Sequence, residues 1–266
     1  MQTPKAKKSL GQHFLHQRSV AERIVQLLEI CPHDRVLEIG PGPGAISGLL
    51  KEANPACLLL VEKDSYWAAE RQKAGHGQVV LMDAMHFAWK RITPERPWKI
   101  IGNLPYNVAS RLLWDIASQA GGLQRAVCMV QKEVALRIVA SPDTKNYGAL
   151  SVWLQSFMQP QLAVLVGSGA FTPSPKVDSA VLSFEPLGSM PPSSGGDRMD
   201  CAPEALKNTL KLCFQMRRKQ LGTILRSHGA DPGILEPLGI AAQERPEELA
   251  PAEFHRLAQA LFSGRK

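Results

Sequence analysis

The chain has 266 residues, of which 44% are hydrophobic and 21% charged, enough to bury a core and intermediate in size between one domain and two. Its formal net charge of +7 favours an anionic partner such as nucleic acid or an acidic membrane surface over an acidic small protein. The cysteines, Cys31, Cys57, Cys128, Cys201 and Cys213, are scattered, with no C-x-x-C pair and no Cys/His cluster at metal-ligand spacing; they point to a reducing compartment and away from a structural metal. No run approaches a membrane span and no secretory h-region opens the chain, so a cytoplasmic protein is expected, with a transit peptide the alternative suggested by the acid-free stretch carrying Lys5, Lys7, Lys8 and Arg18.

In chain order, Ser19 and Glu22 form an S-x-x-E pattern, and Val20, Ile24, Leu27 and Leu28 follow at helical spacing, which predicts a capped first helix. Short apolar runs then recur, each followed by a polar or glycine-rich turn and a helix-like stretch: Arg35 to Ile39, Cys57 to Val61, Val79 to Met82, Lys99 to Ile101 and Ala126 to Val130. This rhythm is βαβ, and near-continuous apolar strands suit a parallel sheet covered on both faces. Leu162 to Val166 and Ala180 to Phe184 follow without a full helix between them, which fits an antiparallel hairpin at the sheet edge. The Pro/Gly/Ser-rich stretch from Pro186 to Pro203 reads as a boundary. Beyond it the pattern is helical, with Leu206, Leu210, Cys213 and Phe214 on one face and Phe254, Leu257, Ala258, Leu261 and Phe262 on another. The division expected is 1–186, a linker over 187–202, and a helical domain over 203–266.

Glu38-Ile39-Gly40-Pro41-Gly42-Pro43-Gly44 is a glycine-rich turn between a strand and a helix, where the backbone can approach a ligand closely. Gly40, Gly42 and Ala45 also satisfy G-x-G-x-x-G/A, so a nicotinamide dinucleotide remains an alternative, as does a plain tight turn. Glu62, about 20 residues past the glycine turn, stands where ribose hydroxyls are accepted. Asp83 ends the third strand, within reach of an adenine or acting as a helix N-cap.

The fourth strand ends in Asn103-Leu104-Pro105-Tyr106. Adenine N6 is a poor nucleophile because its lone pair is delocalised into the ring. The Asn103 side-chain oxygen and the Leu104 carbonyl can both accept from the N6 hydrogens and draw the amine toward tetrahedral geometry. Pro105 holds the turn without adding a competing donor, and Tyr106 offers a face on which an extruded base can stack. Proximity and orientation then supply most of the rate, with no strong base required.

Lys8-Ser9-Leu10-Gly11-Gln12-His13-Phe14-Leu15, the EIGPGPG loop, NLPY, Gln131-Lys132-Glu133 and Phe171-Thr172-Pro173-Ser174-Pro175-Lys176-Val177-Asp178-Ser179 together resemble the ribosomal RNA adenine N6,N6-dimethyltransferases. Arg217-Arg218-Lys219 and Arg245-Pro246-Glu247-Glu248-Leu249 resemble the bacterial small-subunit (16S) branch, with the large-subunit branch its nearest competitor. The resemblance implies an α/β, Rossmann-like, seven-stranded class I methyltransferase sheet with a small all-helical C-terminal domain. The reaction implied is transfer of methyl groups from S-adenosylmethionine to two adjacent adenosines near the 3′ end of 16S rRNA in the 30S subunit. By the same resemblance His13 and Leu15 meet the methionine end of the cofactor, Gly40 and Gly42 form its loop, Glu62 takes the ribose and Asp83 the adenine. Asn103 serves cofactor and target, and Phe171 closes over the target base opposite Tyr106. Many relatives carry Asn where this chain has His13, and a backbone contact would survive that change. A motif beginning at Lys8 leaves little for a transit peptide to occupy.

Lys207, Lys211, Arg217, Arg218, Lys219 and Arg226 lie in a window from Leu206 to Arg226 that holds no acid, a composition suited to phosphate contacts, although charge runs are commonly solvated helix faces. A monomer is expected, with no metal and no membrane. Three rivals remain: a non-catalytic small-subunit assembly factor, a DNA adenine methyltransferase, and a NAD oxidoreductase. NLPY argues against the last, and the N-terminal stretch argues against the second.

Overall fold

The computed structural model describes residues 11–189 and 201–262. Lys5, Lys7 and the Lys8-Ser9-Leu10 opening of the N-terminal motif lie outside the described residues, as does 190–200 of the expected linker. Contacts divide the chain into two units, 1–135 with 159–186, and 136–158 with 187–266.

The first unit is built on strands β1 (Phe14–Leu15), β2 (Arg35–Ile39), β3 (Cys57–Glu62), β4 (Gln78–Leu81), β5 (Trp98–Asn103), β6 (Leu123–Gln131), β7 (Met158–Val166), β8 (Phe171–Thr172) and β9 (Ser179–Pro186). Seven of them form one sheet in the order β4-β3-β2-β5-β6-β9-β7, and β1 pairs with β8 separately. The β2–β3, β2–β5, β3–β4 and β5–β6 ladders are parallel, while β9 runs antiparallel to β6. Consecutive residues of the central strands are buried, among them Val36 and Leu37, Ile100 and Ile101, and Val127 through Val130. Burial on both strand faces is why these segments read as apolar runs without alternation.

Among the described residues, the helices lying wholly in this unit are α1 (Arg18–Leu27), α2 (Ser47–Glu52), α3 (Ser65–Ala74) and α4 (Ala109–Gln119). The capping box expected at Ser19 and Glu22 does not form. The helix starts two residues earlier, with Gln17 rather than Ser19 at its N-cap position and no side-chain cap, and Glu22 instead accepts from Arg18 at 2.8 Å, one turn away. Asp64 does cap α3, accepting from the Tyr66 amide at 3.1 Å.

The unit division falls within α5 (Lys132–Ile138). The second unit holds α6 (Ala149–Phe157), α7 (Pro203–Gln215), α8 (Leu221–Ser227) and α9 (Pro251–Phe262). The helical unit thus takes in 136–158, which the sequence reading left with the first 186 residues. The reason is burial: Val152, Trp153 and Leu154 are three consecutive buried residues of α6, and that helix packs on α7 and α9. Tyr147 fastens the excursion by donating to the Leu249 carbonyl at 2.9 Å, and Phe214 stacks on Phe254.

Candidate active site

The parallel ladders bring the ends of four strands to one level. Ile39 is level with Val61 and with Gly102, and Glu62 with Leu81, so the residues just beyond them converge at the carboxyl edge of the sheet, where open α/β sheets bind ligands. A cavity of about 920 Å³, open mouth included, lies there. His13, Gly40, Gly42, Glu62, Asp83, Asn103, Leu104, Pro105 and Tyr106 all line it.

The glycine turn is built by main-chain bonds. The Gly40 amide donates to the Val61 carbonyl at 2.9 Å, and the Gly44 amide to the Pro41 carbonyl at 2.9 Å. Gly40 has φ +65°, and a Cβ there would meet no atom nearer than the Asn103 carbonyl oxygen at 4.0 Å. The wall at Gly40 is therefore left open for a ligand to lie against the backbone. Gly42 is covered by the Phe14 ring, 3.3 Å from where its Cβ would stand.

Glu62 accepts from the Gly42 amide at 3.0 Å through one carboxylate oxygen and from the Asp64 amide at 2.8 Å through the other. The Lys63 amide also hydrogen-bonds to it, and the carboxylate's remaining lone-pair capacity is open to a ribose hydroxyl. Burial raises its pKa, opposed by the amides that hydrogen-bond to it. Asp83 lines the cavity and caps the following 3-10 turn by accepting from the Met85 amide at 3.0 Å. Lys63 binds its other oxygen at 2.7 Å, and that hydrogen bond holds the Asp83 carboxyl below its ordinary range. Beneath the loop, Glu38 is buried and its pKa is pushed up to about 8, chiefly by burial, while the Ser47 hydroxyl donates to it at 2.6 Å.

Asn103 ends β5, and its Nδ2 donates to the His13 carbonyl at 2.9 Å. Because a carbonyl can only accept, this bond fixes the amide's orientation and turns Oδ1 away as an acceptor. The Leu104 amide donates to the Met129 carbonyl at 3.1 Å, and the Pro105 carbonyl accepts from Val108 and Ala109, closing the turn into α4. The Tyr106 hydroxyl is 2.6 Å from Ser179 Oγ, and burial raises its pKa.

Two expected site residues do not reach the cavity. Leu15 is core, lining only a small recess behind the glycine loop. Phe171, 3% exposed, is paired with Leu15 across the β1–β8 ladder. It belongs to the core cluster with Ile24, Leu28 and Val181 and does not line the cavity that Tyr106 lines. Cavity residues with no role assigned from sequence include Gln12, Phe14, Met82, Asn107 and Leu112. Gln12 and Phe14 flank His13 in the N-terminal motif, which was the available signal; Asn107 directly follows NLPY.

The basic residues lie in the helical unit, Lys207 and Lys211 on α7, with Arg217, Arg218 and Lys219 following it. The acid-free window is not free of acid in space. Glu204 pairs with Lys207 at 3.1 Å, and Glu247 with Arg217 at 3.0 Å, where Arg217 also donates to the Lys145 carbonyl. Among the described residues Lys211, Arg218 and Lys219 have no acidic partner within ion-pair distance and are exposed. The described residues contain no group of three potential metal ligands and no helix long and apolar enough to cross a membrane.

A family model described as ribosomal RNA adenine dimethylase matches residues 3–262. The ribosomal RNA small subunit methyltransferase A of Nitratidesulfovibrio vulgaris is 52% identical over 265 residues, covering 97% of this chain and 97% of that protein. The protein of the same name from Marinobacter nauticus is 35% identical over 259 residues, covering 96% and 91%. Among solved structures, a dimethyladenosine transferase from Plasmodium falciparum matches with a TM-score of 0.78 at 24% identity, covering 92% of this chain and 96% of that one. The 23S rRNA methyltransferase ErmE matches with a TM-score of 0.67 at 25% identity, covering 93% and 99%.

Proposed function

The chain belongs to the ribosomal RNA adenine dimethylase family, and from that premise we propose that it methylates N6 of two adjacent adenosines near the 3′ end of 16S rRNA in the 30S subunit. The cofactor is S-adenosylmethionine, which when bound supplies a methyl group on a sulfonium. The work of the protein is to hold the acceptor amine in line with that methyl.

The observation that carries the reading is the orientation of Asn103 at the cavity wall, with Nδ2 committed to the His13 carbonyl at 2.9 Å. Its Oδ1, together with the Leu104 carbonyl, is then available to accept the two N6 hydrogens. Accepting both draws the nitrogen lone pair out of conjugation and toward the methyl. Tyr106 provides an aromatic wall for the extruded base. Glu62 supports the ribose reading through its remaining lone pairs, and Asp83 supports the adenine reading by its place at the tip of the next strand. Both carboxyl groups line the cavity wall that an adenosyl group would occupy. The exposed cations Lys211, Arg218 and Lys219 supply phosphate contacts that position RNA without reading its sequence. A substrate assembled into ribosomal subunits implies a cytoplasmic site of action.

The test is transfer of tritium from methyl-labelled S-adenosylmethionine to unmethylated 30S particles, with 50S particles and duplex DNA as controls. Label recovered from 16S rRNA as N6,N6-dimethyladenosine is the expected result. Preferential labelling of 50S particles or DNA, or no label on any substrate, would refute the assignment.

A further inference from the structure

His13 makes three contacts, to two separate stretches of the chain. Its main-chain carbonyl accepts from Asn103 Nδ2 at 2.9 Å. Its Nδ1 is 2.8 Å from the Pro173 carbonyl oxygen, and since that oxygen has no proton to give, Nδ1 is the donor. Its ring stacks on Tyr106, with centroids 5.5 Å apart and planes inclined by 23°. Tyr106 is held at its far end by the hydroxyl contact with Ser179 Oγ at 2.6 Å. The imidazole is thus tied at its edge to the segment after β8, while its ring lies in an offset stack against one face of the tyrosine. Neither ring can turn without breaking a hydrogen bond or the stack.

We infer that His13 is a positioning residue for methyl transfer: its ring, anchored on Pro173, occupies one face of Tyr106 so that a target adenine stacks only on the other. The inference rests on the function proposed above and adds the face from which the base is held. His13 acts here through Tyr106. A base free to choose either face of the tyrosine would spend part of its bound time with N6 out of line, and misalignment of this kind lowers turnover more than binding.

His13→Ala removes the ring and leaves the main-chain carbonyl, and with it the Asn103 anchor. The expected result is a fall of about tenfold in kcat on 30S particles, with the Kd for S-adenosylmethionine within twofold of wild type. His13→Phe restores a flat ring without the Pro173 bond and recovers turnover to within about threefold of wild type. A readout independent of activity uses protein labelled at its three tyrosines, Tyr66, Tyr106 and Tyr147. The Tyr106 ring resonance, assigned by its loss in Tyr106→Phe, moves in His13→Ala while the other two stay in place. An unmoved Tyr106 resonance would overturn the inference, as would an unchanged kcat. So would a loss of activity traced wholly to weaker cofactor binding, which would make His13 a cofactor contact. Wild-type protein that labels no RNA would sink the proposed function, an outcome distinct from wild-type labelling that His13→Ala leaves intact, which sinks this inference alone.

Discussion

Substituting Asn103 separates two things its side chain does. Nδ2 anchors the His13 carbonyl at 2.9 Å, and Oδ1 is the proposed acceptor for N6. In Asn103→Ala the first loss leaves a part-buried carbonyl short of its donor, which costs about 1 kcal/mol and weakens cofactor binding by about fivefold as the N-terminal segment loosens. The second loss falls on the transition state, because the N6 hydrogens become strong donors only as positive charge develops on nitrogen. A charge-assisted bond of that kind is worth about 2–3 kcal/mol, so kcat falls by about thirtyfold to more than a hundredfold. Asn103→Asp keeps an acceptor at Oδ1 but sets a second oxygen against the His13 carbonyl, so it disturbs the anchor while sparing the catalytic contact. Single-turnover methylation of 30S particles gives the rate, and calorimetry gives the cofactor Kd. If Asn103→Ala turns over within threefold of wild type while its cofactor Kd rises tenfold, Asn103 is only an anchor, and the account of N6 activation fails.

Three further predictions draw on separate parts of the structure. Gly44→Ala places a Cβ at φ +93° and 1.8 Å from Nη1 of Arg71, a side chain only 9% exposed; backbone strain and the displaced guanidinium together cost about 3 kcal/mol in urea unfolding, and a loss under 1 kcal/mol would count against this packing. Burial holds Glu38 near pKa 8 against an ordinary 4.5, so the folded protein keeps a proton that the unfolded chain has lost, and stability falls as pH rises from about 4.5 to about 8 with a slope of at most about 1.4 kcal/mol per pH unit. Glu38→Gln flattens that slope between pH 5.5 and 7.5, and a slope equal to wild type would contradict it. Neutralising Lys211, Arg218 and Lys219 together lowers the slope of log K for RNA binding against log salt by about 2 to 3, and an unchanged slope would remove these residues from the interface. Arg217 is a poorer probe, because its bonds to Glu247 and the Lys145 carbonyl also hold the helical unit together.

The sheet was legible because its central strands are buried on both faces, so each appears as a near-continuous apolar run. Arg35 to Ile39 is the same span in sequence and structure, β4 is shifted one residue earlier than Val79 to Met82, and the other sheet strands extend their predicted cores by a residue or more. What escaped the sequence reading was set by partners distant in the chain. The segment 136–158 joins the helical unit because α6 finds its cover on α7 and α9, which begin more than 45 residues later. Ser19 and Glu22 match a local capping pattern, but Arg18 lies one turn before Glu22 and takes its carboxylate. The basic window lacks acid in sequence, yet Glu247, 30 residues past Arg217, reaches it in space.

The site was legible for a related reason, and its limits follow from the same physics. In a parallel sheet, strands in register end at one edge, so any chemistry written just after each strand is delivered to one place. Gly40, Glu62, Asp83 and Asn103 follow this rule, each within a residue or two of its strand's end. Phe171 lies outside this rule: an aromatic before a proline-rich turn reads the same whether it faces a ligand or a ladder partner, and here it is buried and paired with Leu15. The anchor of Asn103 had no sequence signature, since the group that binds it is a main-chain carbonyl that every residue at position 13 would supply. Sequence motifs therefore mark where side chains act and are silent where the backbone acts. A change from His to Asn at position 13 leaves the Asn103 anchor standing, and whatever it alters in turnover reports on the ring over Tyr106.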